Sequence, residues 1–101
     1  MRLNTCFVLV FLLMSAAVAQ AKQIERACLS SDRGAGQRGL CGCIQDAANR
    51  TLSQKDQKLA ASFFKEPDKA QRIRQSESRN HERFWDRYKN FAQTAETYCG
   101  K

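Results

Sequence analysis

Valine does not occur after residue 18, and the β-branched residues beyond that point are three isoleucines and three threonines. Such residues favour strands, and no segment alternates polar and apolar side chains as a strand on a sheet surface does. These two absences argue against a β-sheet. We therefore predict an all-α fold, a small bundle of three to four helices held by two disulfides.

Residues that serve catalysis or metal binding are also scarce. His81 is the only histidine, and neither a serine nucleophile motif nor a carboxylate at ligand spacing accompanies it. Residues 33–39 contain three glycines and two arginines but lack the Gly-Lys-Ser/Thr ending of a phosphate loop, so we interpret them as a solvated connector. We expect a protein that is not an enzyme and that binds no cofactor and no metal.

The one long apolar run lies near the N-terminus. A short start with a positive charge precedes the apolar residues 6–14, and small residues follow up to Ala19. This is the order of a secretory signal peptide, and the run is shorter than the ~20 residues of a membrane-spanning helix. We predict a signal peptide over residues 1–19, although cleavage after Ala21 also fits, and a single periplasmic or secreted domain over residues 20–101.

Four of the five cysteines lie in this domain: Cys28, Cys41, Cys43 and Cys99. A domain of this length has a thin core, and small exported domains often depend on disulfides. A bond between Cys41 and Cys43 would close a strained ring, so each should bond to Cys28 or to Cys99. We prefer Cys28 with Cys41 and Cys43 with Cys99 over the reverse. Alternatively, Cys41 and Cys43 are the redox centre of a thiol-disulfide oxidoreductase, although no βαβ pattern surrounds them.

Apolar spacing and capping residues predict the helices. We expect helices over residues 22–29, 40–52 and 54–65, a fourth from Pro67 and a last one from His81. Ser53 is a suitable N-cap for the third helix, and Pro67 suits the first turn of the fourth. Residues 76–80 have low helix propensity, which favours a break. The last helix carries an apolar stripe spaced by threes and fours, and Gly100 suits its C-cap: Phe84, Trp85, Tyr88, Phe91, Ala92, Ala95 and Tyr98.

The chain is basic, with 17 Lys and Arg against 10 Asp and Glu. Its net charge of +7 falls to +6 when Arg2 leaves with the signal peptide. A basic protein favours anionic partners such as lipid head groups, cell-wall polymers or nucleic acid. The candidate anion-binding residues are a row on the last helix and one arginine before it: Arg79, Arg83, Arg87 and Arg72.

Two interpretations of the arginine row are open. With Trp85 and Tyr88 it could form a basic and aromatic surface that binds anionic lipid or nucleic acid. Alternatively, the row is a solvated face that Glu82 and Asp86 partly neutralise, and the aromatic residues belong to the core.

Several short blocks occur in a specific order along the domain: ACLSSDR at 27–33, GLCGCIQ at 39–45, DQ at 56–57, AASFF at 60–64, AQ at 70–71, RQS at 74–76, FW at 84–85 and RY at 87–88. Together they resemble a family of small exported proteins from marine and phototrophic alphaproteobacteria, which often carry the label arginine transporter. The resemblance implies an exported protein with an accessory role beside a transporter, and it implies no catalytic or binding residue.

From these observations we expect an exported, non-enzymatic envelope or interaction protein whose partner is another envelope protein or an anionic surface. The alternative functions are binding of lipid or nucleic acid through the arginine-rich helix, and thiol-disulfide exchange through Cys41 and Cys43.

Overall fold

The computed structural model describes residues 22–100, and these residues form five α-helices and no β-strand. The helices are α1 (Gln23–Ser30), α2 (Arg38–Thr51), α3 (Gln54–Lys65), α4 (Pro67–Arg74) and α5 (Arg79–Cys99). The all-α class is thereby confirmed for this part of the chain, and its small bundle consists of three longer helices and two of eight residues each. The predicted signal peptide lies outside the described residues.

Capping residues set the ends of the middle helices. α3 follows Ser53, whose hydroxyl oxygen accepts a hydrogen bond from the backbone N–H of Asp56 at 3.2 Å. Pro67 opens α4, where its fixed φ suits the first turn. The predicted break is confirmed, since residues 76–78 are not helical. α5 begins at Arg79, two residues before the predicted start, and Gly100 is its C-cap.

Two disulfides join the helices, and they have the preferred connectivity. Cys28 of α1 is bonded to Cys41 of α2, with the two Cα atoms 5.6 Å apart. Cys43 of α2 is bonded to Cys99 at the end of α5, with the Cα atoms 5.8 Å apart. Cys41 and Cys43 leave α2 in different directions, so α2 is tied to α1 on one side and to the C-terminal end of α5 on the other.

The connector between α1 and α2 packs closely on the first disulfide. Gly34 is buried there, and a Cβ at this position would overlap the carbonyl oxygen of Cys28. The connector was predicted to be solvated, but its residue Gly34 packs against the Cys28 backbone. Only glycine fits at this position.

The hydrophobic core is formed by side chains from all five helices: Ile24, Ala47, Ala48, Leu52, Ala60, Phe63, Ile73, Phe84 and Phe91. Tyr88 packs among the aromatic residues, with its ring centroid 5.2 Å from that of Phe63 and 5.8 Å from that of Phe84. The last fully buried residue of the predicted α5 stripe is Phe91. Tyr98 is 66% exposed and Ala92 is also exposed, whereas Ala95 between them is partly buried against the core.

A network of amide side chains lies in the interior between α2 and α3. Gln45 Nε2 donates to Gln57 Oε1 and to Asn49 Oδ1, both at 2.9 Å. Gln45 Oε1 accepts from the backbone N–H of Glu25 at 3.0 Å, and Gln57 Nε2 donates to the carbonyl oxygen of Leu52 at 3.2 Å. Because the hydrogen bonds of both buried amides are made inside the protein, the network fixes α1, α2 and α3 relative to one another.

Candidate functional site

A cleft of 690 Å³ lies between α3 and α5. Volumes of about 300–1,000 Å³ are usual for sites that bind small molecules. The lining residues come from three helices: Lys55, Asp56, Lys58, Leu59 and Ser62 from α3, Lys69 from α4, and Asn80, His81, Arg83, Phe84 and Arg87 from α5.

Helical periodicity explains how these residues reach the cleft. On α3 the residues at 55, 58, 59 and 62 follow the spacing that places side chains on one face. On α5 the residues at 80, 83, 84 and 87 do the same. The two walls are therefore single faces of two helices. Phe63 of α3 joins these helices through edge-to-face contacts with Phe84 and Tyr88 of α5.

The only carboxylate in the lining is already paired. Arg87 Nε donates to Asp56 Oδ2 at 2.6 Å, and Arg87 Nη2 donates to Asp56 Oδ1 at 3.1 Å, so the guanidinium holds both carboxylate oxygens. The hydrogen bond to Asp56 raises the pKa of Arg87 above its ordinary value. The pair links the two walls, and it leaves Asp56 unable to neutralise other cations in the cleft.

The remaining cations carry the charge of the site. These residues, here called the four cleft cations, are Lys55, Lys58, Lys69 and Arg83. Three of them are exposed and Lys69 is partly buried. Within residues 22–100, no carboxylate forms an ion pair with any of the four. Their positive charges therefore add up in one concave site, and low-dielectric walls strengthen such a field.

Polar uncharged groups and apolar side chains complete the cleft. His81 Nδ1 lies 2.7 Å from Ser76 Oγ, and the Ser62 hydroxyl donates to the carbonyl oxygen of Leu59. Phe84 is buried and Leu59 is partly buried. The cleft thus has exposed cations and one partly accessible apolar side chain, that of Leu59.

The four arginines predicted to bind anions do not all lie at one site. Arg83 and Arg87 line the cleft, but Arg79 and Arg72 do not. Arg72 forms an exposed ion pair at 3.5 Å with Glu66, the N-cap residue of α4. Arg87 pairs with Asp56 on another helix, and Asp86, one of the two acids expected to neutralise the row in part, pairs with Lys89.

Three lysines of the site are not among the residues predicted from the sequence. Lys55 and Lys58 occupy the face of α3 next to its predicted buried residues, and their spacing of three residues is the pattern that indicates a shared face. Lys69 lies on α4, and nothing in the sequence connects it to α5.

Trp85 and Tyr88 are the aromatic residues of the alternative surface for lipid or nucleic acid. Tyr88 and Trp85 are both partly buried, and their ring centroids are 5.0 Å apart. Among residues 22–100 the large exposed apolar side chains are Leu40 and Tyr98, and the Tyr98 ring lies under the guanidinium of Arg50 at 5.8 Å. Neither residue lines the cleft.

Cys41 and Cys43 are bonded to different partners, and both sulfur atoms of the Cys28–Cys41 bond belong to buried residues. This pairing does not provide the vicinal dithiol that the oxidoreductase alternative needs. Within the described part of the chain, no three His, Cys, Asp or Glu side chains are grouped as metal ligands, and no helix is long and apolar enough to cross a membrane.

No family model, curated protein or solved structure matches this chain. The resemblance to exported alphaproteobacterial proteins therefore stays a prediction. Two disulfides in so short a helical domain fit an exported protein.

Proposed function

We propose that this protein is an exported, non-enzymatic binding protein whose basic cleft holds an anionic ligand of the cell envelope. The observation that carries the proposal is the convergence of the four cleft cations on one concave site whose only carboxylate is paired with Arg87. Scattered surface lysines would raise the net charge without creating such a site. Here three helices bring the charges together.

The export part of the proposal is supported by the predicted signal peptide over residues 1–19 and by the two disulfides. We place the mature domain in the periplasm or outside the cell. An accessory role beside an arginine transporter would have to use an anionic partner, because the cleft repels the positive charge of free arginine.

The test is calorimetric titration of the mature protein with tripolyphosphate, a small polyanion that fits a cleft of this size. A Lys58→Glu/Arg83→Glu variant reverses two cleft cations. An Arg26→Glu/Arg74→Glu variant makes the same change of net charge at exposed residues outside the cleft. Loss of a charged hydrogen bond costs ~1.5–3 kcal/mol, so we expect the cleft variant to bind at least about tenfold more weakly.

The control variant should keep most of the affinity, and added salt should weaken binding to the wild-type protein. Equal losses in the two variants would show that net charge alone attracts the anion. That result, or no binding at low salt, would contradict the proposed function.

A further inference from the structure

We propose that the ligand of the cleft is an anionic amphiphile, a phosphate ester joined to an apolar chain. The phosphate group lies among the cleft cations and the first methylenes lie on Leu59. This inference rests on the proposed function and specifies the chemical class of the ligand.

The α3 wall places a cation beside an accessible apolar side chain. The exposed Lys58 is followed by Leu59, which is only partly buried, whereas on α5 the exposed Arg83 is followed by Phe84, which is 3% exposed. Leu59 is therefore the apolar contact that the cleft offers to a ligand. A small inorganic anion would contact only the outer part of this cleft, whereas a neutral apolar ligand would leave the charges without partners.

A phosphate ester matches the polar groups better than a single carboxylate does. Arginine presents several N–H donors in a fixed fork, and lysine adds a mobile point charge. Arg83 on one wall, Lys58 on the other and Lys69 from α4 supply three cations to the cleft, and a phosphate monoester carries three terminal oxygens that can accept hydrogen bonds from them. The Asn80 amide, which also lines the cleft, offers an uncharged donor.

Nucleic acid fits the site less well. Proteins that bind single strands combine basic grooves with exposed aromatic side chains on which the bases stack. Phe84 is 3% exposed, and Tyr88 packs against Phe63 and Phe91. No aromatic side chain of residues 22–100 is therefore both exposed and part of the cleft.

The experiment compares probes that separate the two halves of the ligand. Glycerol phosphate carries the phosphate without the chain, dodecyl maltoside carries the chain without the charge, and dodecyl phosphate below its micelle concentration carries both. Burial of two or three methylenes is enough for about a tenfold gain in affinity. We expect dodecyl phosphate to bind at least about tenfold more tightly than glycerol phosphate, and dodecyl maltoside to bind weakest.

Two variants test which residues bind the apolar chain and which bind the phosphate group. Leu59→Gln should weaken dodecyl phosphate several-fold and leave glycerol phosphate unchanged, whereas Arg83→Gln should weaken both probes. Arg26→Gln is the control and should change neither. Both test residues are at least partly exposed, and circular dichroism checks that the variants keep the helical fold.

Binding to vesicles of phosphatidylglycerol in neutral lipid is also measured, to distinguish a head group held in a bilayer from a free amphiphile. Binding to the vesicles or to dodecyl phosphate supports the proposal that the ligand is an anionic amphiphile. Equal affinity for the two phosphate probes, with Arg83→Gln still weakening both, would overturn the inference and leave the proposed function intact. Tighter binding of a single-stranded oligonucleotide than of dodecyl phosphate would also overturn it. No binding of any phosphate probe would contradict both proposals.

Discussion

Gln45 and Gln57 are the residues whose positions depart most from ordinary expectation. Glutamine is usually exposed, yet Gln57 is fully buried and Gln45 is 4% exposed. Neither position shows a sequence pattern that predicts burial, because the spacing of apolar residues does not identify a buried amide. The hydrogen bonds that make burial possible come from Asn49, the Leu52 carbonyl and the Glu25 N–H.

Replacing the buried amide tests the network. We expect Gln57→Ala to lower the free energy of unfolding by about 2–4 kcal/mol, because it leaves a cavity and removes hydrogen bonds in the core. Gln71→Ala is the matched control, since Gln71 is exposed on α4 and should tolerate the change. Urea unfolding with the disulfides intact measures both. Similar stabilities of the two variants would contradict the account of the network.

The burial of Tyr88 should make the stability of the protein depend on pH in the alkaline range. Burial raises the pKa of Tyr88 above its ordinary value of 10.0. The folded protein then binds more protons than the unfolded chain above about pH 10, so the stabilisation is complete below that pH and is lost as the pH rises through the folded-state pKa.

We expect the wild-type protein to lose more free energy of unfolding between about pH 8 and about pH 11 than Tyr88→Phe does. Tyr98→Phe is the control for the loss of a tyrosine hydroxyl, because Tyr98 is largely exposed. Parallel pH profiles for the wild type and Tyr88→Phe would show that the phenol does not contribute.

Among the helices, α3 and α4 are the best predicted from sequence. The N-cap Ser53 and the helix-opening Pro67 act through local backbone chemistry, so their effects can be predicted without the tertiary structure. The end of α5 is different. Tyr98 continues the apolar spacing of Phe84 and Phe91, yet it is 66% exposed and its ring lies under the Arg50 guanidinium of α2. Periodicity predicts which face a residue occupies, and it does not predict where the core ends.

The last turns of α5 depend on the Cys43–Cys99 bond. Phe91 is the last buried residue of this helix, and the disulfide closes a sequence separation of 56 residues. We expect a Cys43→Ala/Cys99→Ala variant to exchange the amide hydrogens of residues 93–99 faster, while amides near Phe84 stay protected. Loss of the disulfide that closes this long loop should lower the free energy of unfolding by about 4 kcal/mol on the chain-entropy model.

A Cys28→Ala/Cys41→Ala variant is the comparison for this experiment. It removes a bond with a separation of 13 residues, which should cost about 3 kcal/mol. The end of α5 stays tied to α2 in this variant, so residues 93–99 should keep their protection. Unchanged exchange at residues 93–99 in the Cys43→Ala/Cys99→Ala variant would contradict the role of the second disulfide.

At the scale of the whole molecule, the basic cleft is a product of tertiary packing. Its cations come from α3, α4 and α5, and the Asp56–Arg87 pair joins residues that are 31 positions apart. The sequence predicts a basic protein and identifies Arg83 and Arg87, because charge and helical spacing are visible in one segment. It could not predict that Arg87 is paired across the cleft, nor that Lys69 lies beside the other cations.

The most direct test of the account is an NMR titration of the ¹⁵N-labelled mature protein with tripolyphosphate. We predict that the amide shift changes concentrate at residues 55–62, at Lys69 and at residues 80–87, which border the cleft. They should saturate together, as expected for one site. Changes of equal size at Arg26, Arg50 and Arg74, or no changes at low salt, would contradict the claim that the cleft is where this protein binds anions.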